Sequence, residues 1–128
     1  MVFLFWYNQI MRFKHTDTNL SVENEYPKLV RDKIPEIIKA GGREVPVRTL
    51  EQGEFIDYLK KKAVEEAMEL AAADTDMHLL EEIADIRELL DALESAKGFS
   101  ADDVKSVQDD KRNKRGGFTQ RLLMLNND

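Results

Sequence analysis

The fold follows from the segment GEFIDYLKKKAVEEAMELAAADTDMHLLEEIADIRELLDALESAK, residues 53–97. It is rich in Glu, Lys, Leu and Ala, which are strong helix formers. This composition predicts one helix over about residues 53–73 and a second over about 77–97, which Gly98 ends. The polar residues 74–76 make a tight connection and supply an N-cap. Because two long helices joined by so short a loop must pack antiparallel, the sequence predicts an all-α fold with a helical hairpin at its core.

Shorter helices flank this hairpin in the sequence. After Lys33 the apolar spacing predicts a helix that ends at two glycines. Ser100 is the expected N-cap of another helix, which runs to about Arg115 and again stops at two glycines. Residues 26–128 are therefore predicted to form one all-α domain. Residues 1–25 are an N-terminal extension, which either packs on the domain or on a partner subunit or reflects an upstream start codon.

Composition narrows the classes of function. The net charge of −6 and a pI near 5.0 disfavour binding to DNA or RNA, whose phosphates would be repelled. The absence of cysteine excludes disulfides, zinc–thiolate sites and thiol catalysis. The apolar run over residues 2–7 is far shorter than the about 20 residues that span a bilayer, and it lacks the flanks of a secretory signal. We therefore expect a cytoplasmic protein with no membrane partner.

Carboxylates fall on the apolar faces of both long helices. At about 100° per residue, Glu66 lies inside the apolar arc of the first helix, with Glu69 at its edge and Glu65 one step further out. In the second helix Glu82 lies inside the apolar stripe, and Asp85 lies just beyond it. Because each inner pair is spaced i, i+3, both of its members point the same way. The hairpin is therefore expected to bring four carboxylates together.

Carboxylates that converge in a partly dry space repel one another, and each costs several kcal/mol to desolvate. The chain must protonate them, pair them with bases or bind a divalent cation. For Glu66 the ordinary partner is the nearby Lys62. An all-oxygen set suits a hard cation such as Mg²⁺ or Mn²⁺. A ferritin-like di-iron site is not expected, since neither His15 nor His78 has a glutamate three positions before it.

Three blocks of the sequence resemble one family. The pattern E65-E66-x-x-E69 followed by E82-x-x-D85 resembles the EExxE…ExxD signature of the MazG-like all-α nucleoside triphosphate pyrophosphohydrolases. The segments KLVRDKIPEII at 28–38 and KxxKRGGF at 111–118 are similar to the ends of the branch often labelled phosphoribosyl-ATP pyrophosphohydrolase-like. In this order the three blocks extend from residue 26 to about 125.

The resemblance implies hydrolysis of a nucleotide to its monophosphate and pyrophosphate. It implies a Mg²⁺ ion, or Mn²⁺ in its place, held by Glu66, Glu69, Glu82 and Asp85. Glu65, beside this cluster, is the candidate for orienting the attacking water. The triphosphate also needs cationic side chains, and the candidates are Lys28, Arg31 and Lys33 in the first block and Lys111, Lys114 and Arg115 in the last. The ordinary alternatives are surface salt bridges for the first group and stabilisation of the helix dipole for the last.

Three hypotheses about function remain open. The first is a Mg²⁺-dependent house-cleaning enzyme that removes non-standard NTPs or dNTPs. The second is the phosphoribosyl-ATP pyrophosphohydrolase of histidine biosynthesis, although the SYT-type segment of that enzyme is missing ahead of Lys62. The third is a non-catalytic helical module that binds a nucleotide or another protein. Since a lone hairpin leaves apolar surface uncovered, we also expect a homodimer or homotetramer built as a four-helix-type bundle.

Overall fold

A computed structural model describes residues 26–127, so the predicted N-terminal extension lies outside the described residues. The described residues form four α-helices and no strand, which confirms the all-α class. The helices are α1 (Ile34–Ala40), α2 (Gln52–Ala72), α3 (Asp76–Lys97) and α4 (Ala101–Arg115). The chain divides into two compact units, one up to Lys97 and one from Gly98 onward, and each is described by itself. None of the described helices is long and apolar enough to cross a membrane.

Local capping explains where the two long helices begin. Glu51 and Glu54 form a capping box at the start of α2, in which each side chain accepts a hydrogen bond from the other's backbone N–H. Arg48 stabilises the same turn by donating a hydrogen bond of 2.7 Å to the carboxylate of Glu54. At the start of α3 the hydroxyl of Thr75 accepts a hydrogen bond from the backbone N–H of His78 at 3.1 Å. The prediction that the polar connection supplies an N-cap is therefore confirmed.

Helices α2 and α3 pack against each other. At one end of this contact, the side chain of Gln52 donates a hydrogen bond of 2.7 Å to the carbonyl of Ala96, so the start of α2 meets the end of α3. Leu59 and Met68 of α2 are buried, and burial of one such side chain stabilises a fold by about 1.5–3 kcal/mol. This packing fixes which residues of the two helices face each other.

One apolar row on α3 is only partly covered by the described residues. Leu79, Ile83 and Leu90 recur at helical spacing, and they are 39%, 39% and 47% exposed. Three large aliphatic side chains on one face are the kind of surface that a further helix covers. We call Leu79, Ile83 and Leu90 the open row of α3.

The second unit consists of α4 and the residues that follow it. Ser100 and Asp103 form a capping box, with bonds of 3.0 Å and 2.8 Å between side chain and backbone N–H in each direction, which confirms Ser100 as the N-cap. The helix ends at Gly116, whose φ of 84° favours glycine. Basic residues occupy its last turn, where they complement the negative end of the helix dipole.

Candidate metal centre

The packing of α2 on α3 brings carboxylates together around Glu82. Glu66 of α2 and Glu82 and Asp85 of α3 each offer an oxygen, and these atoms lie within 4.8 Å of one another. Glu69 forms a second group within the same limit, together with His78 and again Glu82. The four acids predicted as ligands are thus divided between two groups that share Glu82. Their proposed role as metal ligands stays a prediction.

Glu82 is the buried member of the cluster. The residue is 8% exposed, and its Oε2 atom is buried without a hydrogen-bond partner among the described residues. Its Oε1 atom lies 3.3 Å from Nε2 of His78. A buried carboxylate oxygen that lacks a partner costs free energy unless a proton or a cation compensates it. Glu82 is therefore the position where the cluster most needs positive charge.

The pKa of Glu66 also indicates that the cluster lacks positive charge. Burial, followed by the hydrogen bond to Glu82 and by the negative charge of Glu82, raises the pKa of Glu66 to about 7. The ammonium group of Lys62 lies 3.8 Å from Glu66 and offsets only part of this increase. At neutral pH a large fraction of the protein molecules therefore carry a proton on Glu66, which a bound cation would displace.

Two cationic side chains border the cluster. Arg31, predicted as a phosphate ligand, donates a hydrogen bond of 2.6 Å to Asp85, rather than forming the salt bridge to Asp32 or Glu36 that its neighbourhood in sequence suggests. Lys62 lies 3.3 Å from Glu65 as well as close to Glu66, which confirms its expected role as a salt-bridge partner. The acids thus have partial but incomplete positive compensation.

The other predicted side chains of the first unit lie beside the carboxylate cluster or on the protein surface. A shallow pocket beside the cluster is lined by Lys28, Tyr58, Lys61, Lys62 and Glu65, among others. Lys28 also lies over the ring of Tyr26, at 5.0 Å from its centroid. Lys33 is exposed at the N-cap of α1. Glu65, predicted to orient water, belongs to neither group of potential metal ligands, and it reaches the cluster through Lys62.

The remaining predicted phosphate ligands belong to the second unit. Lys111, Lys114 and Arg115 are exposed in the C-terminal half of α4. Lys114 pairs with Asp110 at 3.1 Å, one helical turn away. Their predicted contact with phosphate stays a prediction, and the ordinary role at a helix C-terminus accounts for their position within α4.

His78 belongs to the cluster and was not predicted from the sequence. A histidine ligand was expected only in the Glu-x-x-His spacing of di-iron proteins, which His78 lacks. His78 instead lies four residues before Glu82, a spacing that also places two side chains on the same face of a helix. That i, i+4 relation was the available signal.

Comparisons with known proteins give one partial match to a protein of unknown function. An uncharacterized protein of Mycolicibacterium smegmatis is 52% identical over 48 residues, which are 38% of this chain and 49% of the relative. The match thus spans about half the length of that relative. No protein-family profile matches the chain, and no solved structure matches it. Membership of the family that the sequence resembles therefore stays a prediction.

Proposed function

We propose that the protein is a Mg²⁺-dependent nucleotide pyrophosphohydrolase, which splits a nucleoside triphosphate into a monophosphate and pyrophosphate. One observation carries the proposal: carboxylate oxygens from two helices, those of Glu66, Glu82 and Asp85, converge within 4.8 Å, and Glu82 has a buried oxygen with no hydrogen-bond partner among the described residues. A chain that only needed acidic surface would leave these groups in water, where ionisation has no desolvation cost.

The donor set fits a hard divalent cation. Its members are carboxylate oxygens, which Mg²⁺ and Mn²⁺ prefer. The raised pKa of Glu66 indicates that positive charge is lacking at this point, because a fully compensated carboxylate would keep an ordinary or lowered pKa. We assign Glu66, Glu82 and Asp85 as the core of the site, with Glu69 at its edge. When bound, the ion would neutralise phosphate charge and lower the pKa of a coordinated water.

The side chains around the cluster suit the rest of the reaction. Arg31 is exposed next to Asp85, and its planar guanidinium can grip phosphate oxygens in a bidentate manner. Lys62 pairs with Glu65 and Glu66 at the border of the cluster, and together with the nearby Lys28 it adds positive charge for the triphosphate. Glu65 lies beside the cluster through its contact with Lys62, and as a carboxylate it can accept a hydrogen bond from the attacking water and then its proton. Attack by that water breaks the phosphoanhydride bond between the α- and β-phosphates, so that the products are the monophosphate and pyrophosphate.

We further propose that α2 and α3 form an antiparallel hairpin that is half of a four-helix-type bundle. The hydrogen bond from Gln52 to Ala96 supports the antiparallel arrangement. The open row of α3 supports the pairing of two copies, because a second hairpin would remove its three aliphatic side chains from water. The assembly would be a homodimer or a homotetramer.

A non-catalytic binding module is the second candidate, and it too has a supporting observation. Arg31 and Lys62 already pair with three acids of the region, Asp85, Glu65 and Glu66. Such pairs can hold an acidic cluster together without any cation. The two candidates differ in whether nucleotide is consumed.

The decisive assay incubates the protein with Mg²⁺ and a panel of NTPs, dNTPs and phosphoribosyl-ATP, and separately detects pyrophosphate and orthophosphate. The expected product is pyrophosphate, and the substrate that yields it fastest distinguishes the house-cleaning activity from the histidine-pathway activity. Glu66→Gln and Asp85→Asn should abolish turnover. Glu81→Gln is the matched control, since Glu81 is exposed on α3 beside Glu82 and belongs to neither ligand group. If no substrate released pyrophosphate, both enzyme hypotheses would be wrong.

A further inference from the structure

We propose that Glu69, His78 and Glu82 form a second divalent-cation site, which takes an imidazole-binding ion such as Mn²⁺ or Zn²⁺ in preference to Mg²⁺. This site shares Glu82 with the carboxylate site of Glu66 and Asp85. The inference rests on the proposed function for the first cation, but binding of the second needs no nucleotide and no turnover.

The distances within the group fit a bound ion. One ligand atom from each of the three side chains lies within 4.8 Å of the others, and Nε2 of His78 is 3.3 Å from Oε1 of Glu82. Ligands at about 2.0–2.2 Å from one ion lie about 3–4 Å from each other, a spacing close to that of this group, and water would supply the remaining ligands. The His78 side chain is 37% exposed, which gives an ion access from solvent.

Glu82 supplies an observation that the acids alone do not. It is 8% exposed, and its Oε2 atom is buried with no hydrogen-bond partner among the described residues. A carboxylate has two oxygens and can bridge two ions. With one oxygen on each ion, Glu82 would have a partner for its buried Oε2 as well as for Oε1. Two cation sites that share Glu82 therefore give a reason for the burial of this acid, which is the buried acid of the cluster.

The ordinary interpretation of His78 is an ion pair with Glu82 along one helix. That pair would use Oε1 of Glu82 and leave Oε2 without a partner. It also would not involve Glu69, which approaches from α2. A neutral imidazole offers the lone pair of Nε2 to a metal, and the cap from Thr75 to the backbone of His78 fixes the turn that carries it.

The nitrogen ligand sets the choice of ion. Mg²⁺ takes oxygen ligands almost exclusively, whereas Mn²⁺, Co²⁺ and Zn²⁺ accept imidazole. The two sites should therefore differ in selectivity, with Mg²⁺ bound at the carboxylate site alone. Mn²⁺ should occupy both sites.

The test uses Mn²⁺ alone, without nucleotide. Electron paramagnetic resonance of free Mn²⁺ counts the bound ions, and pulsed measurements detect coupling to a coordinated ¹⁴N nucleus. We expect two bound Mn²⁺ per chain and an imidazole coupling. His78→Gln should bind one Mn²⁺, lose the coupling and weaken the second binding step by at least about tenfold, the lower end of what partners of metal ligands contribute. Glu81→Gln is the matched control and should behave as the parent protein does.

The chain has two histidines, so the measurement is repeated in a His15→Gln variant. In this variant the ¹⁴N coupling of an imidazole can come only from His78. The same variant decides the point if His78→Gln fails to fold by circular dichroism. Absence of ¹⁴N coupling in it, or Mn²⁺ binding that His78→Gln leaves unchanged, would overturn the second site. Failure of the proposed function looks different: no pyrophosphate would be released with Mg²⁺, while the Mn²⁺–imidazole signal would persist.

Discussion

Replacing Glu66 by glutamine is expected to stabilise the cation-free protein at alkaline pH. The reason is the raised pKa of Glu66, which lies at about 7 instead of the ordinary 4.5. Because each pH unit between these values corresponds to about 1.4 kcal/mol, ionising Glu66 in the folded protein costs about 3 kcal/mol. Its side chain is 15% exposed, and because solvent screens part of the charge, about 3 kcal/mol is the upper limit of this cost. Glutamine is neutral and keeps an amide donor for Glu82, so it avoids the cost.

The direction of the pH dependence of stability follows from proton binding. Between the unfolded and folded pKa values the folded protein binds a proton that the unfolded chain releases. The free energy of unfolding of the parent protein should therefore fall as the pH rises from about 4.5 through about 7. In Glu66→Gln this loss of stability with rising pH should be absent. The free energies of unfolding of the two proteins should therefore diverge as the pH rises, by up to about 3 kcal/mol at about pH 8.

Urea unfolding in EDTA, followed by circular dichroism across this pH range, measures the difference, with Glu81→Gln as the control. Addition of Mg²⁺ at alkaline pH should stabilise the parent protein, by about 2.7 kcal/mol at one hundred times the dissociation constant. It should stabilise Glu66→Gln far less. The reasoning would be refuted if Glu66→Gln were less stable than the parent protein in EDTA at about pH 8.

Three further predictions test neighbouring contacts. Arg31→Met removes the cation that pairs with Asp85. Because this pair is exposed, the free energy of unfolding should change by less than about 1 kcal/mol. Calorimetric titration should show tighter Mg²⁺ binding, and kinetic assays should show slower nucleotide turnover. Ser100→Ala removes the N-cap of α4 and should cost about 1 kcal/mol of helix stability, seen as faster amide exchange in the first turn of α4. Ile83→Asp places a charge in the open row of α3 and should reduce the molecular mass in solution, as measured by light scattering; an unchanged mass would argue against pairing of hairpins through this row.

The helices were predictable because their signals are local. Ser100 lies at an N-cap with acids in the following turn, and glycines stand where α1, α3 and α4 end, so the bounds follow from capping chemistry. The meeting of the acids was predictable for a related reason. Helical periodicity alone puts Glu66 and Glu82 on the inner faces of two helices that a short connection forces together.

Contacts between distant segments were not predictable in the same way. Arg31 lies 54 positions from Asp85, and its sequence neighbours Asp32 and Glu36 offered nearer partners. The bond exists because the chain before α1 comes back to the α3 face, which no local pattern encodes. His78 was missed although its spacing to Glu82 is local, because an isolated histidine at i, i+4 from an acid is usually a surface pair.

The most direct test of the central claim is anomalous diffraction from crystals soaked with Mn²⁺ and a non-hydrolysable nucleoside triphosphate. We expect an anomalous peak at about 2.0–2.2 Å from carboxylate oxygens of Glu66, Glu82 and Asp85, with phosphate oxygens completing the shell. Arg31 should then have left Asp85 for the phosphates. A bound nucleotide with no metal peak at these carboxylates, and with Arg31 still paired to Asp85, would contradict the claim that the acids converge to hold a cation.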